Sequence, residues 1–115
     1  MQNSYMAEKR VLCVSWYEGL AVTRKLLLRQ AGFEVVSALR QQSYVACRED
    51  ADLMILGDSV PRKEKVRLID CFRAHTNAPV LSLLNAGQEK LPEATYSLEA
   101  TDPNSLLHTV RQILS

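Results

Sequence analysis

The chain has 115 residues, 47% of them hydrophobic and 23% charged, and fourteen basic against thirteen acidic residues leave a net charge of +1. That is the size and composition of one globular domain; it excludes a disordered chain and gives no broad electrostatic pull toward nucleic acid or a membrane surface. No apolar run approaches the roughly 20 residues that span a bilayer, and MQNSYMAEKR lacks the apolar core of a secretory signal, so a cytoplasmic location is expected.

Residues 1–9 form a polar lead expected to fray, and residues 10–115 a single domain. RVLCVS (Arg10 to Ser15) is a short apolar run that reads as a strand buried on both faces. From Glu18 to Ala31 the residues Leu20, Leu27, Leu28 and Ala31 repeat at helical spacing and Gly32 supplies a stop, which predicts a helix. FEVVSAL predicts a second strand, Gln41 to Glu49 a short helix, and DLMIL a third, doubly buried strand. Pro61 suits the first turn of a further helix that carries Val66, Ile69 and Phe72 on one face. APVLSLL gives a fourth strand and ATYSLEA a weaker fifth. Asp102 and Pro103 then open a C-terminal helix striped by Leu106, Leu107, Val110, Ile113 and Leu114.

Strands alternating with helices predict an α/β fold, a doubly wound parallel sheet covered on both faces. In such sheets a site lies outside the carboxyl ends of the strands, where Ser15, Trp16, Gly57, Asp58, Leu84, Asn85 and Glu99 to Thr101 converge. Asp58 follows glycine and precedes serine, which is ordinary turn chemistry, although a carboxylate at the mouth of a site is the competing role. Trp16 is expected as a packed loop aromatic, with ligand stacking as the alternative. Arg24, Lys25 and Arg29 read as a solvated helix face, and Pro61 to Lys65 as a run of mixed charge. His75 and His108 have no catalytic or metal-ligating companion at useful spacing. Cys13, Cys47 and Cys71 are odd in number and widely spaced, which suggests neither a disulfide framework nor a CxxC site; each is expected as a small buried residue.

From Arg10 to Leu114 the sequence resembles the receiver domain of bacterial two-component response regulators. RVLCVSWYEGL is similar to the family's first strand and loop, AGFEVVSA to its link into strand two, DLMILGDSVP to its third strand, phosphoacceptor loop and proline, and APVLSLL to its fourth strand. The resemblance implies a flavodoxin-like five-stranded sheet of order 2-1-3-4-5. The segment NAGQEKLPEAT is short for the family's fourth helix and holds Pro92, so that helix is expected to be one turn or absent.

The resemblance also implies a degenerate site. The phosphoacceptor aspartate stands four residues before the family's proline, and that position is Gly57 here. The acidic pair that holds the metal falls on Ser15 and Trp16, the hydroxyl residue ending strand four on Leu84, and the strand-five lysine on Ala100. Aspartyl phosphorylation needs a carboxylate nucleophile, a hard cation held by carboxylate oxygens and positive charge at the phosphoryl oxygens. None of these positions supplies them. The expectation is a stand-alone, non-enzymatic pseudo-receiver with no cofactor and no metal, which binds a signalling protein or itself in two-component-type signal transduction. Strand five and the C-terminal helix, with Tyr96 and Leu98, and the linker from Gly87 to Pro92 are the expected contact surface, and the first helix with Val22 and Leu26 is its rival. A phosphoacceptor receiver using Asp58 with metal, and a small-ligand sensor at a mouth formed by Trp16 and Leu84, are the alternatives.

Overall fold

The computed structural model describes residues 8–99 and 102–115. The strands are β1 (Arg10–Ser15), β2 (Glu34–Leu39), β3 (Leu53–Leu56), β4 (Val80–Leu84) and β5 (Tyr96–Glu99), and the helices α1 (Glu18–Gln30), α2 (Ser43–Ala46), α3 (Arg62–Arg73) and α4 (Pro103–Leu114). All strand pairs are parallel and the sheet order is β2-β1-β3-β4-β5, the flavodoxin-like arrangement expected from the sequence. Segment 85–95, between β4 and β5, holds two turns and no helix.

Side chains of a strand leave on alternate faces, so a parallel sheet with two helical layers needs two cores. Leu12, Val14, Met54, Leu56 and Val80 pack on one face with Val60, Leu68, Ile69 and Phe72 from α3 and its approach. Val11, Cys13, Leu53, Ile55, Leu81 and Leu83 pack on the other with Leu28 of α1 and Leu106 and Val110 of α4. Each fully buried aliphatic or aromatic side chain of this kind contributes about 1.5–3 kcal/mol.

Local chemistry sets the element ends. After α1, Gly32 takes φ +100°. Its N–H donates to the Arg29 carbonyl and that of Phe33 to the Leu28 carbonyl, the paired bonds of a Schellman stop. Asp102 caps α4 by accepting from the Ser105 N–H at 2.8 Å, with Pro103 in the first turn. Pro61 stands one place before α3, as its N-cap, instead of inside the first turn. The expected helix over residues 41–49 is a 3-10 turn (Arg40–Gln42) followed by the single turn of α2. Arg40 enters that turn with φ +53°, unusual for a residue with a Cβ.

Three expectations need correction. Arg24 is 8% exposed and Lys65 4% exposed, so neither belongs to a solvated face. Both fall on the inward stripes of their helices, Arg24 with Ala21 and Leu28, Lys65 with Leu68, Ile69 and Phe72. Cys47 and Cys71 form a disulfide, with Cα atoms 6.0 Å apart, while Cys13 is a free buried thiol. A chain count and spacing cannot reveal that pair, because the fold, and not the sequence, brings the end of α2 to α3.

Candidate functional site

The carboxyl ends of β1, β3 and β4 meet in a mouth where most polar groups bond to others of the chain. Ser15 is fully buried; its Oγ lies 2.9 Å from the Tyr17 carbonyl oxygen and 3.2 Å from Ser59 Oγ. The Trp16 N–H donates to Ser59 Oγ at 2.9 Å, and Arg40 Nε donates to the Trp16 carbonyl at 3.1 Å. These bonds pin the loop after β1 to the loop after β3. The Trp16 side chain is half-buried against the core on the α3 side.

Gly57 follows β3 directly; its N–H donates to the Val14 carbonyl at 2.8 Å, and its own carbonyl accepts from the Val60 N–H at 3.1 Å to close a turn. A Cβ on Gly57 would stand 2.9 Å from the Val14 carbonyl oxygen and 3.1 Å from Arg24 Nη1. The first of those neighbours is backbone and cannot swing aside, so glycine is required here by close approach. Arg24 reaches this point from α1 and pairs with Asp58, Nη2 to Oδ1 at 2.8 Å, with side chains only 10% and 14% exposed. Its Nη1 has no hydrogen-bond partner among the described residues. Asp58 is therefore more than a turn residue: its carboxylate neutralises a buried guanidinium.

A second buried cation arrives from the opposite face. Lys65 Nζ donates to Ser82 Oγ at 2.9 Å and to the Leu83 carbonyl at 2.7 Å, both on β4. Burial pulls its pKa down from 10.5 to about 8, against the attraction of Asp58, with Arg62 adding to the fall. Among the described residues the mouth thus holds the internal cations Arg24 and Lys65 beside Asp58, and sequence reasoning placed neither cation there. The missed signal was helical periodicity: Arg24 and Lys65 each stand on an apolar stripe, where a charge implies an internal partner.

Leu84 ends β4 almost fully buried and borders a hollow of about 330 Å³ with Val60, Arg62, Lys65 and Leu91. Trp16 borders a different one, with Tyr17, Glu18, Leu39 and Arg40. The common mouth of Trp16 and Leu84 required by a ligand-sensor reading is not formed among these hollows. Ala100 lies outside the described residues. Of the expected contact residues, Tyr96 is 47% exposed and Leu26 54% exposed, whereas Leu98, opposite Leu83 in the sheet, is half-buried against the core on the α1 and α4 face.

The divalent cation that a receiver site employs does not fit these residues. Ser15, Trp16 and Gly57 offer no carboxylate, and the Asp58 carboxylate beside them is engaged by Arg24. No group of three or more His, Cys, Asp or Glu side chains is placed to hold a metal ion among the described residues.

The sequence matches no family model, and no curated protein matches it. Solved structures match it throughout. A CheY-like response regulator receiver domain protein from Methanospirillum hungatei JF-1 superimposes with TM-score 0.78 at 18% identity, over 94% of each chain. The chemotaxis response regulator CheY4 of Vibrio cholerae gives 0.76 at 24% identity, covering 93% of this chain and 99% of that one. The receiver domain of the hybrid histidine kinase CckA gives 0.76 at 22%, covering 92% and 99%. The fold is that of the CheY-like receiver domains. Within it, this chain carries a glycine, a tryptophan and an Arg24–Asp58 ion pair at the mouth.

Proposed function

We propose that the chain is a pseudo-receiver: a non-enzymatic protein-interaction module of two-component-type signalling that acts without being phosphorylated. The observation that carries this reading is the ion pair at Gly57, where Arg24 stands against the missing side chain and takes up Asp58. Phosphoryl transfer to an aspartate requires a free carboxylate, a cation for the phosphoryl oxygens and room for both. Here the carboxylate is spoken for, and a guanidinium occupies the ground beside position 57. A genuine phosphoacceptor at Asp58 would first have to break a buried ion pair and leave Arg24 uncompensated, which costs several kcal/mol.

The absence of a helix between β4 and β5 supports the same reading, because a readout surface built on that helix is lacking too. Partner binding then rests on surfaces present in one state. Tyr96 at the edge strand β5 and Leu26 with Val22 on α1 are the exposed apolar side chains on which it is proposed to occur, with a signalling protein or a second copy as partner in the cytoplasm. The test is intact mass spectrometry after incubation with acetyl phosphate and magnesium. The protein is expected to remain unmodified. A phosphoryl adduct that disappears in Asp58→Asn would establish the phosphoacceptor instead.

A further inference from the structure

We propose that Cys47 and Cys71 form a reversible redox modification site, closed and opened by exchange with a low-molecular-weight thiol–disulfide couple, which controls the order of the crossover between β2 and β3. The disulfide joins the residue that ends α2 to the middle of the last two turns of α3, across 24 positions of sequence. Both helices lie on the same face of the sheet, so the bond fastens one covering element to another and leaves the strands free.

The other ties of the crossover are scattered: Arg40 Nε donates to the Trp16 carbonyl, Arg10 Nη1 to the Asp50 carbonyl, and His75 Nε2 lies 3.3 Å from the Glu49 carbonyl oxygen. The crossover's helix is one α-turn, far below the length at which a helix sustains itself. Tyr44 hydroxyl bonds the Glu64 carboxylate, Ala46 joins the core, and Ser43 Oγ is buried with no partner among the described residues. Val45 is 68% exposed in the middle of the turn. The sheet, by contrast, is covered for the most part by α1, α3 and α4, with Tyr44, Ala46 and Cys47 of the crossover adding to the core on the α3 face. Opening the disulfide therefore frees a local unit while the domain persists.

Burial sets the order of the chemistry. Cys47 is fully buried and Cys71 only partly so, which favours attack at the Cys71 side of the bond. In reduction an external thiolate attacks Cys71 Sγ, the Cys47–Cys71 bond breaks, and Cys47 leaves as a thiolate that takes a proton. Its sulfur lies 3.5 Å from the Tyr44 carbonyl, which accepts the resulting S–H. A second external thiol attacks the small-molecule sulfur of the mixed disulfide and releases Cys71. Two external thiols are thereby oxidised to one disulfide and the protein gains two electrons and two protons; oxidation by a small disulfide runs the same steps backward. Cys13 stays out of the exchange, because burial pushes its thiol up to about 11, only partly opposed by Arg24, and it lies on the other face of the sheet.

The experiment equilibrates the whole protein in glutathione buffers of graded oxidation, traps free thiols by acid and alkylation, and reads intact mass; amide hydrogen exchange follows residues 40–51 in the two end states. The pair is expected to pass from two alkylated cysteines to none across the series, so that the trapped disulfide form is lighter by two alkyl groups, with Cys13 labelled alike in both. Exchange over residues 40–51 is expected to rise about tenfold or more on reduction, while β1 and β3 remain protected. Cys71→Ser should show the fast crossover in every buffer, and Cys13→Ser should switch like the wild type. A pair that stays in one state across the whole series, or a crossover that exchanges equally fast in both states, overturns the proposal.

Discussion

A glycine at position 57 decides what Arg24 can do. With no side chain there, the guanidinium lies against the strand end and reaches Asp58 within 2.8 Å. Removing one member of a buried pair strands the other, so Arg24→Met and Asp58→Leu are each expected to cost about 3 kcal/mol, the low end of the range for buried pairs because both groups keep some exposure. The double variant should cost less than their sum by at least about 1 kcal/mol. Urea unfolding of the four proteins measures this, and strict additivity would show that the pair does not act as one. Lys65 gives a second handle. Its folded pKa, about 8, lies below the ordinary 10.5, so the unfolded chain binds more protons between those values and stability rises with pH there. The stability of the wild type relative to Lys65→Met should thus rise by up to about 1.4 kcal/mol per pH unit between pH 8 and 10, a difference free of the opposite slope that the raised Cys13 thiol gives both proteins as pH rises from 9.0 toward about 11. A wild-type profile parallel to that of the variant would place the lysine in a solvent-like setting.

At the scale of elements, the segment between β4 and β5 replaces a helix by straps. Arg62 donates to the Glu89 carbonyl at 3.4 Å, Arg73 to the Glu93 carbonyl and, at 2.9 Å, to Thr95 Oγ1, and Leu91 is buried in the core beside α3. Sequence length and Pro92 announced that no full helix forms there, but not how its ground would be covered, since that depends on arginines 20 to 27 positions away in the chain. The strands were legible for a simple reason: a doubly buried strand is a continuous apolar run, and β1, β3 and β4 each carry one. The weak β5 lies at the sheet edge with Tyr96 outward, and α1 presents Val22 and Leu26 outward four residues apart. Glutamate at Tyr96 and, separately, at Leu26, read by light scattering and by capture of bound proteins, distinguishes these surfaces. Loss of association through Tyr96 alone is expected; loss only through Leu26 would move the contact to α1.

For the molecule as a whole, fold and site were unequally readable. The order of elements and the two-faced apolar pattern determine a doubly wound sheet, because few topologies bury such strands with right-handed crossovers. The same reading located Ser15, Trp16, Gly57 and Asp58 at the strand ends. It misplaced Arg24 and Lys65, since a charge on an amphipathic helix is ordinarily solvated and only the assembled sheet supplies the carboxylate and the β4 acceptors that hold them inside. It passed over the Cys47–Cys71 pair for the same reason. The proposal that results is a receiver fold whose mouth is taken up by its own ion pair, hydroxyl bonds and a glycine. The most direct measurement of that claim is a nitrogen–proton NMR titration of the labelled protein with magnesium and beryllofluoride, the phosphoryl mimic that engages a free aspartate beside a metal. The account predicts that the amides of Trp16, Gly57, Asp58 and Ser59 do not move; saturable shifts at these residues, lost in Asp58→Asn, would contradict it.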